Sequence, residues 1–288
     1  MRNKFGALAV AALIAAPAVS RGQSDLGRDK DVWTWDGKVS SGNWFRLSNV
    51  NGPVSIEPSD DNQVHVRAEK QVNRGSPTDV AFQVVESDGD VRICALWRND
   101  VCDEDGLHTR RGNTGDDDRG ERRNVKVKFT VKIPSGVHVS AGTVNGEMRV
   151  RDVSSDVHAS TVNGLVEVRN VGGEVNANTV NGRVEVTTRS GPVNANTVNG
   201  DIDVRMGSLS RDGAMRFKTV NGSVTVETPA GLDANVSMET MHGSISSDWP
   251  VQLSGKFGLR HAEGTIGRGG RVIRMSTLNG SVELRKVR

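Results

Sequence analysis

The chain is 288 residues long, enough for one large or two modest domains. Its 33 Gly, its lack of Tyr and its abundance of Val, Asn, Ser and Thr argue against a helical protein. A formal net charge of only +2, with acidic and basic residues interspersed, supplies no field that would draw it to nucleic acid or an anionic membrane.

The first residues, MRNKFGALAVAALIAAPAVS, place Arg2 and Lys4 before an apolar run from Phe5 to Ile14, followed by small residues. That order predicts a secretory signal peptide, residues 1–22, cut between Ala18 and Gly22. The apolar run is shorter than the ~20 residues of a spanning helix, and no later segment is apolar enough to cross a bilayer. No Cys stands near the cleavage region to carry a lipid anchor. The expected location is outside the cytoplasm: secreted, periplasmic or on the cell surface, with no membrane span.

Residues 23–135 read as an amino-terminal β-rich cap, with Trp33, Trp35 and Trp44 packing its edge; the alternative for these three is a ligand-binding aromatic shelf. NVNG at Asn49 follows Phe45 and Leu47 and precedes Val54 and Ile56. QVHVRAE (63–69), DVAFQVVE (79–86), DVRICALW (90–97) and NVKVKFTVKIP (124–134) then alternate apolar and polar residues, the period of half-buried strands. These strands are expected to cover the first unit of the repeat that follows, because an open sheet edge invites pairing. Residues 98–123 are polar, Gly-rich and charged and read as a flexible loop. Cys94 and Cys102 are the only cysteines. Outside the cytoplasm such a pair is expected to close a disulfide, and two are too few for a thiolate metal site.

Residues 136–288 are dominated by one tetrapeptide. Thr-Val-Asn-Gly begins at Thr143, Thr161, Thr179, Thr197 and Thr219, with degenerate copies at Thr240 (TMHG), His261 (HAEG) and Thr277 (TLNG). Spacings from Thr143 onward are 18, 18, 18, 22, 21, 21 and 16 residues. Apolar residues lie two and four positions before each Thr and two and four after each Gly, as in Val175, Ala177, Val184 and Val186. Each unit is therefore two short strands, each with one buried face.

Asn-Gly between alternating strands is also a hairpin signal, since both residues tolerate positive φ. A hairpin would put Val180 on its wet face, yet this position is Val, Met or Leu in seven copies. An inward-pointing Val at the corner of a coil, worth roughly 1.5–3 kcal/mol when buried, accounts for that choice. The chain is accordingly predicted to be all-β: a parallel β-solenoid of 16–22-residue TVNG rungs with an amino-terminal β-sheet cap. At ~4.8 Å per rung the array would be a rod on the order of 40 Å long. Asn145, Asn163, Asn181, Asn199, Asn221 and Asn279 would stack as a structural ladder of side-chain amides, with the Thr residues stacking likewise. TLNGSVELRKVR continues the pattern to the last residues, so the final rung is expected to be uncovered and to associate weakly end to end, restrained by Arg285, Lys286 and Arg288.

An early F-x-L-x-N-x-N-G-x-V-x-I unit (45–56), a linker sheet ending in V-x-I-P-S-G-V (131–137) and serial T-V-N-G-x-V-x-V rungs resemble the bacterial "putative adhesin" family. This is a β-strand-repeat domain of unknown function in cell-envelope proteins. The resemblance implies a solenoid fold and an envelope location. It implies no enzyme activity and offers no catalytic residues to carry over.

Outward charges fall mostly in columns, with Arg149, Glu167, Glu185 and Asp203 in one and Arg151, Arg169 and Arg205 in the next. Such columns read as solvated ladders, not as a convergent catalytic site. His138, Asp156 and Glu174 occupy the same place in successive units with His158 alongside, a donor set that suits zinc or a similar ion. Asp103–Asp105 and Asp116–Asp118 could attract calcium but lack the spacing of a calcium loop. No cofactor is expected. The sequence supports a non-enzymatic structural or adhesive solenoid whose partner is an envelope protein or a surface glycan. The alternatives are a carbohydrate-active or metal-dependent enzyme on the same scaffold, and a periplasmic accessory module that binds a protein.

Overall fold

The structure, a computed structural model, describes residues 26–73, 75–97, 100–109, 125–209, 212–254 and 259–287. The expected signal peptide, residues 1–22, and the Asp116–Asp118 stretch lie outside the described residues.

In chain order the amino-terminal part forms β1 (Val32–Gly37), β2 (Trp44–Ser48), β3 (Val54–Pro58), β4 (Val64–Val72), β5 (Val80–Ser87), β6 (Asp90–Trp97), β7 (Asp100–Cys102), β8 (Leu107–Thr109) and β9 (Val125–Ile133). The regular array follows as β10 (His138–Gly142), β11 (Met148–Arg151), β12 (Val157–Ser160), β13 (Val166–Val171), β14 (Val175–Asn178), β15 (Val184–Thr188), β16 (Val193–Asn196), β17 (Ile202–Met206), β18 (Met215–Lys218) and β19 (Val224–Thr228). The chain ends with β20 (Ala234–His242), β21 (Ile245–Ser247), β22 (Gln252–Ser254), β23 (Arg260–Ile266), β24 (Arg271–Asn279) and β25 (Val282–Lys286).

Successive strands of the array alternate between two sheets, so each rung gives one strand to each. The first sheet has the order β1-β4-β9-β3-β11-β13-β15-β17-β19-β25-β21, and the second β22-β23-β20-β24-β18-β16-β14-β12-β10-β2-β6-β5. From β3 to β21 and from β6 to β20 all neighbours are parallel, and apart from a bulge between Arg169 and Val171 in β13 they are in register: Val139, Val157, Val175 and Val193 align, as do Met148, Val166, Val184 and Ile202. This is a β-solenoid. The period-two pattern puts Val, Ala, Met and Ile on the faces turned toward each other, where most are fully buried. Ala141, Ala159, Ala177 and Ala195 keep the middle of the core thin, while Leu47 at one end and Phe217, Met275 and Met238 at the other thicken it.

At the amino-terminal end the NVNG unit stacks directly beneath the Thr143 rung, β2 on β10 and β3 on β11. Strands β9 and β6 continue the sheets below it in parallel, and β4, β1 and β5 close them antiparallel. Trp33 is buried in this cap, its ring stacked on Phe82 at 4.8 Å. Lys70 is buried too, its Nζ donating to the carbonyls of Gly27, Arg28 and Pro77 at 2.7, 3.0 and 2.9 Å and so tying the first described segment down.

Part of the region expected to be a flexible loop is ordered. Strands β7 and β8 pair as an antiparallel hairpin, and Cys102 bonds to Cys94 of β6 across a Cα–Cα distance of 6.1 Å. The two sulfurs, with Ala81 and Leu96, make a small second core on the back of the sheet. A loop this short gains about 2.5 kcal/mol from closure.

The carboxyl-terminal end departs from a simple coil. After β19 the chain builds the end rung, β20 and β21, and returns antiparallel as β23 against β20. It then inserts β24 between β18 and β20 and β25 between β19 and β21. In space, therefore, the Thr277 rung precedes the Thr240 rung. Two expectations are corrected. HAEG is not a rung corner, because His261 sits inside an antiparallel strand opposite Glu239. The final strand is not an uncovered end, because Arg285 and Lys286 lie within the sheet; the edges at this end are β21 and β22.

Candidate functional site

Three surfaces carry polar chemistry in quantity: the tetrapeptide corner, the charged outer face of the first sheet, and the outer face of the second.

At the corner every letter has its own bond along the stack. The Thr side chain is buried and its Oγ1 donates to the Gly carbonyl of the rung below, as from Thr161 to Gly146 (2.9 Å), Thr179 to Gly164 (3.2 Å) and Thr197 to Gly182 (3.0 Å). The Val carbonyl accepts the Asn amide of the rung above: Asn181 N donates to Val162 O at 2.7 Å. Asn side chains donate Nδ2 to Oδ1 down the column, from Asn163 to Asn145, Asn181 to Asn163, Asn199 to Asn181, Asn221 to Asn199 and Asn279 to Asn221, at 2.7–2.8 Å. Gly is required by space. A Cβ on Gly164, Gly182 or Gly200 would meet the Gly carbonyl oxygen below at 2.2, 1.9 or 2.0 Å. The only non-glycine residues with positive φ among those described are Asp88, Asp152 and Asn170, so no corner Asn is there for left-handed backbone.

The second letter was expected to point inward, and it does not. Val162, Val180 and Val198 are 37%, 39% and 40% exposed, and Leu278 and Met241 similar. Thr takes the inward place because its hydroxyl satisfies a buried carbonyl there, and alternation then turns Val out. More than half of each of these Val side chains is still covered, and Val144 at the start of the column packs partly against the core, so an apolar residue remains favoured at this position.

On the first sheet the aligned charges bond as clusters of opposite sign. Glu167, almost fully buried, is surrounded by Arg149 (Nε–Oε2 3.2 Å), Arg151 (Nη2–Oε1 3.2 Å) and Arg169. Arg183, nearby on the same face, is surrounded by Glu185 (3.5 Å), Asp201 (3.2 Å) and Asp203 (3.4 Å). The hydrogen bond to Asp201 and the charge of Asp203 raise the Arg183 pKa further, while burial pushes Asp203 up. Each charge here is engaged by its neighbours, and nothing in this arrangement sets a nucleophile beside a base.

The second sheet carries what the sequence pointed to least. Trp44 of β2 lies on the outer face with its ring on His138 at 4.9 Å and His158 at 4.7 Å, and the Arg46 guanidinium 5.2 Å from its centroid. Burial lowers the His158 pKa against the opposing pull of Glu174 and Asp156. His138, Asp156 and Glu174 do fall on successive rungs beside His158. Their donor atoms are turned to the chain itself: Asp156 N donates to His138 Nδ1 at 3.3 Å, Glu174 N to Asp156 Oδ1 at 2.8 Å, and Asn176 Nδ2 to Glu174 Oε1 at 3.0 Å. Among the described residues no group of three or more His, Cys, Asp or Glu side chains is arranged to hold a metal ion. Asp103 Oδ1 likewise accepts from Asp105 N and Gly106 N at 3.0 and 3.1 Å, closing its own turn. Beyond His158 the face continues as Asn176 and Asn194, and in the next row as Ser160, Asn178 and Asn196. The signal that could have identified Trp44 was its period: it stands one residue before the inward Phe45 and therefore on the outside.

Fold and corner together define a two-sheet parallel β-solenoid whose rungs are joined through a repeated Thr-Val-Asn-Gly turn. Residues 145–285 match the family model described as Toastrack DUF4097. Solved structures similar to the chain include a "putative adhesin" from Bacteroides fragilis at 15% identity, covering 90% of this chain and 98% of that one with a TM-score of 0.45. A "putative cell adhesion protein" from Clostridium sporogenes is similar at 9% identity over 89% and 99% of the two chains, TM-score 0.38. A "putative adhesin" from Parabacteroides merdae is similar at 12% identity over 90% and 98%, TM-score 0.31. Comparison with curated proteins finds no match.

Proposed function

We propose that the protein is a non-enzymatic β-solenoid of the cell envelope or exterior, and that it holds a surface glycan against the outer face of its second sheet. The observation that carries this is the Trp44 platform: an aromatic ring laid on two imidazoles beside rows of amide and hydroxyl groups. Sugar rings stack on aromatic faces through their C–H bonds, while amides meet their hydroxyls. A non-enzymatic reading is supported by the first sheet, where carboxylates are paired in axial register instead of converging on a cleft. An extracytoplasmic site is supported by the Cys94–Cys102 disulfide, and no helix among the described residues is long and apolar enough to cross a membrane.

Titration of purified protein with a panel of neutral and uronic-acid polysaccharides tests the proposal. Binding that is lost in Trp44→Ala with an unchanged melting temperature supports it. Binding that survives Trp44→Ala moves the contact off this face, and no binding to any member of the panel overturns the glycan.

A further inference from the structure

Seven corners of this protein contain Asn followed by Gly, at Asn51, Asn145, Asn163, Asn181, Asn199, Asn221 and Asn279. Asn-Gly is chemically self-reactive. The Gly backbone nitrogen, having lost its proton to hydroxide, attacks the Asn Cγ; the Cγ–Nδ2 bond breaks and ammonia leaves. Water then opens the cyclic imide at either carbonyl, giving Asp or isoaspartate, with no change of oxidation state. The attack needs a free Gly N–H and an Asn side chain able to swing onto it.

The stack withholds both. Each Gly N–H is already donating upward, Gly146 to Asn163 O, Gly164 to Asn181 O, Gly182 to Asn199 O, Gly200 to Asn221 O and Gly222 to Asn279 O, at 2.8–3.0 Å. The side chains of Asn163, Asn181, Asn199 and Asn221 are each fixed at both ends, as Asn181 donates to Asn163 and accepts from Asn199. The nucleophile is occupied and the electrophile held.

Asn279 differs. Its Nδ2 donates to Asn221 at 2.7 Å, but the rung above has His242 in place of Asn, so no ladder donor stands over it. Gly280 N is held only by His242 O at 2.9 Å, in the end rung. The first-sheet half of that rung is the three-residue edge strand β21, whose Ile245 is only partly buried where its counterparts Val282, Val224 and Ile202 are fully buried. Beyond the strand this half is pinned by Asp248, whose N–H donates to Leu284 O and whose Oδ2 accepts from Lys286 N, both at 2.9 Å, and by Trp249, with Nε1 3.2 Å from Thr228 Oγ1 and Lys286 Nζ 4.3 Å from its ring centroid.

We infer that Asn279-Gly280 is a self-modification site, gated by opening of the end rung, while the interior Asn-Gly pairs are kept intact by the fold. Conversion at Asn279 removes the donor to Asn221. The isoaspartate product also adds a methylene to the backbone between β24 and β25, which breaks the register of the inserted rung. The stack would thus lose its end first as the protein ages.

The test is incubation of the full chain at mildly alkaline pH, native and in denaturant, with peptide mass spectrometry of every Asn-Gly site over time. In denaturant all seven sites should convert at comparable rates. In the native protein Asn279 should convert about tenfold or more faster than Asn163, Asn181 and Asn199, because modification follows the population of the open state. Trp249→Ala should accelerate Asn279 several-fold and leave Asn181 unchanged. Equal native rates at Asn279 and Asn181, or no acceleration in Trp249→Ala, would overturn the inference.

Discussion

A Cβ on Gly182 would stand 1.9 Å from the carbonyl oxygen of Gly164, one rung below. That contact, more than any turn conformation, makes the fourth letter of the repeat invariant within this chain. Parallel rungs must close to ~4.8 Å for their backbones to bond, and at the corner nothing larger than hydrogen fits between them.

Gly182→Ala should therefore cost more than about 3 kcal/mol, because backbone on both sides of the clash would have to move. Gly231, where an added Cβ meets nothing within 4 Å, is the matched control, and Gly231→Ala should be nearly neutral. Equal denaturation midpoints for the two variants would show that the rungs can spread.

Asn181→Ala removes one amide bond to Asn163 and one from Asn199, both at the protein surface. Water can replace exposed hydrogen bonds, so the expected loss is about 1 kcal/mol, less than a buried ladder would show. Chemical denaturation with an unchanged m-value measures it. A loss of several kcal/mol would mean that the column is sealed from solvent.

Val180→Asp should give soluble, folded protein destabilised by no more than about 1 kcal/mol, since this side chain is 39% exposed and the carboxylate can stay hydrated. Val184→Asp, four residues on at a fully buried position, should not fold. Aggregation of Val180→Asp would return the second letter to the core.

Protonated His65 donates to two carboxylates, Asp36 on β1 and Asp61 in the turn before β4, and these hydrogen bonds raise its pKa. A folded pKa above the unfolded value near 6.5 means that the pairing stabilises the cap fully below that pH. The stabilisation is lost as pH rises through the folded value. Imidazole proton shifts followed by NMR should titrate above the unfolded value, and Asp36→Asn should bring the midpoint down. An unmoved midpoint in Asp36→Asn would remove Asp36 as the cause.

The sequence by itself determined the rung. Period-two alternation on both sides of a fixed tetrapeptide specifies two half-buried strands and a corner, and strict 18-residue spacing from Thr143 to Thr197 specifies that like residues stack. The Asn column and the aligned charges follow from that spacing alone. Local pattern could not decide which of Thr143 and Val144 faces inward, because the choice depends on the Gly52 carbonyl, which only the rung below brings within 3.1 Å of Thr143 Oγ1. Nor could it decide the order of the last rungs. TMHG precedes TLNG in the chain, but β24 can bond on both edges only by entering between β18 and β20, and satisfying both edges of a strand is a property of the assembled sheet. The Trp44 platform was hidden for the same reason: Trp44, His138 and His158 are up to 114 residues apart and meet only because parallel register sets three rungs side by side.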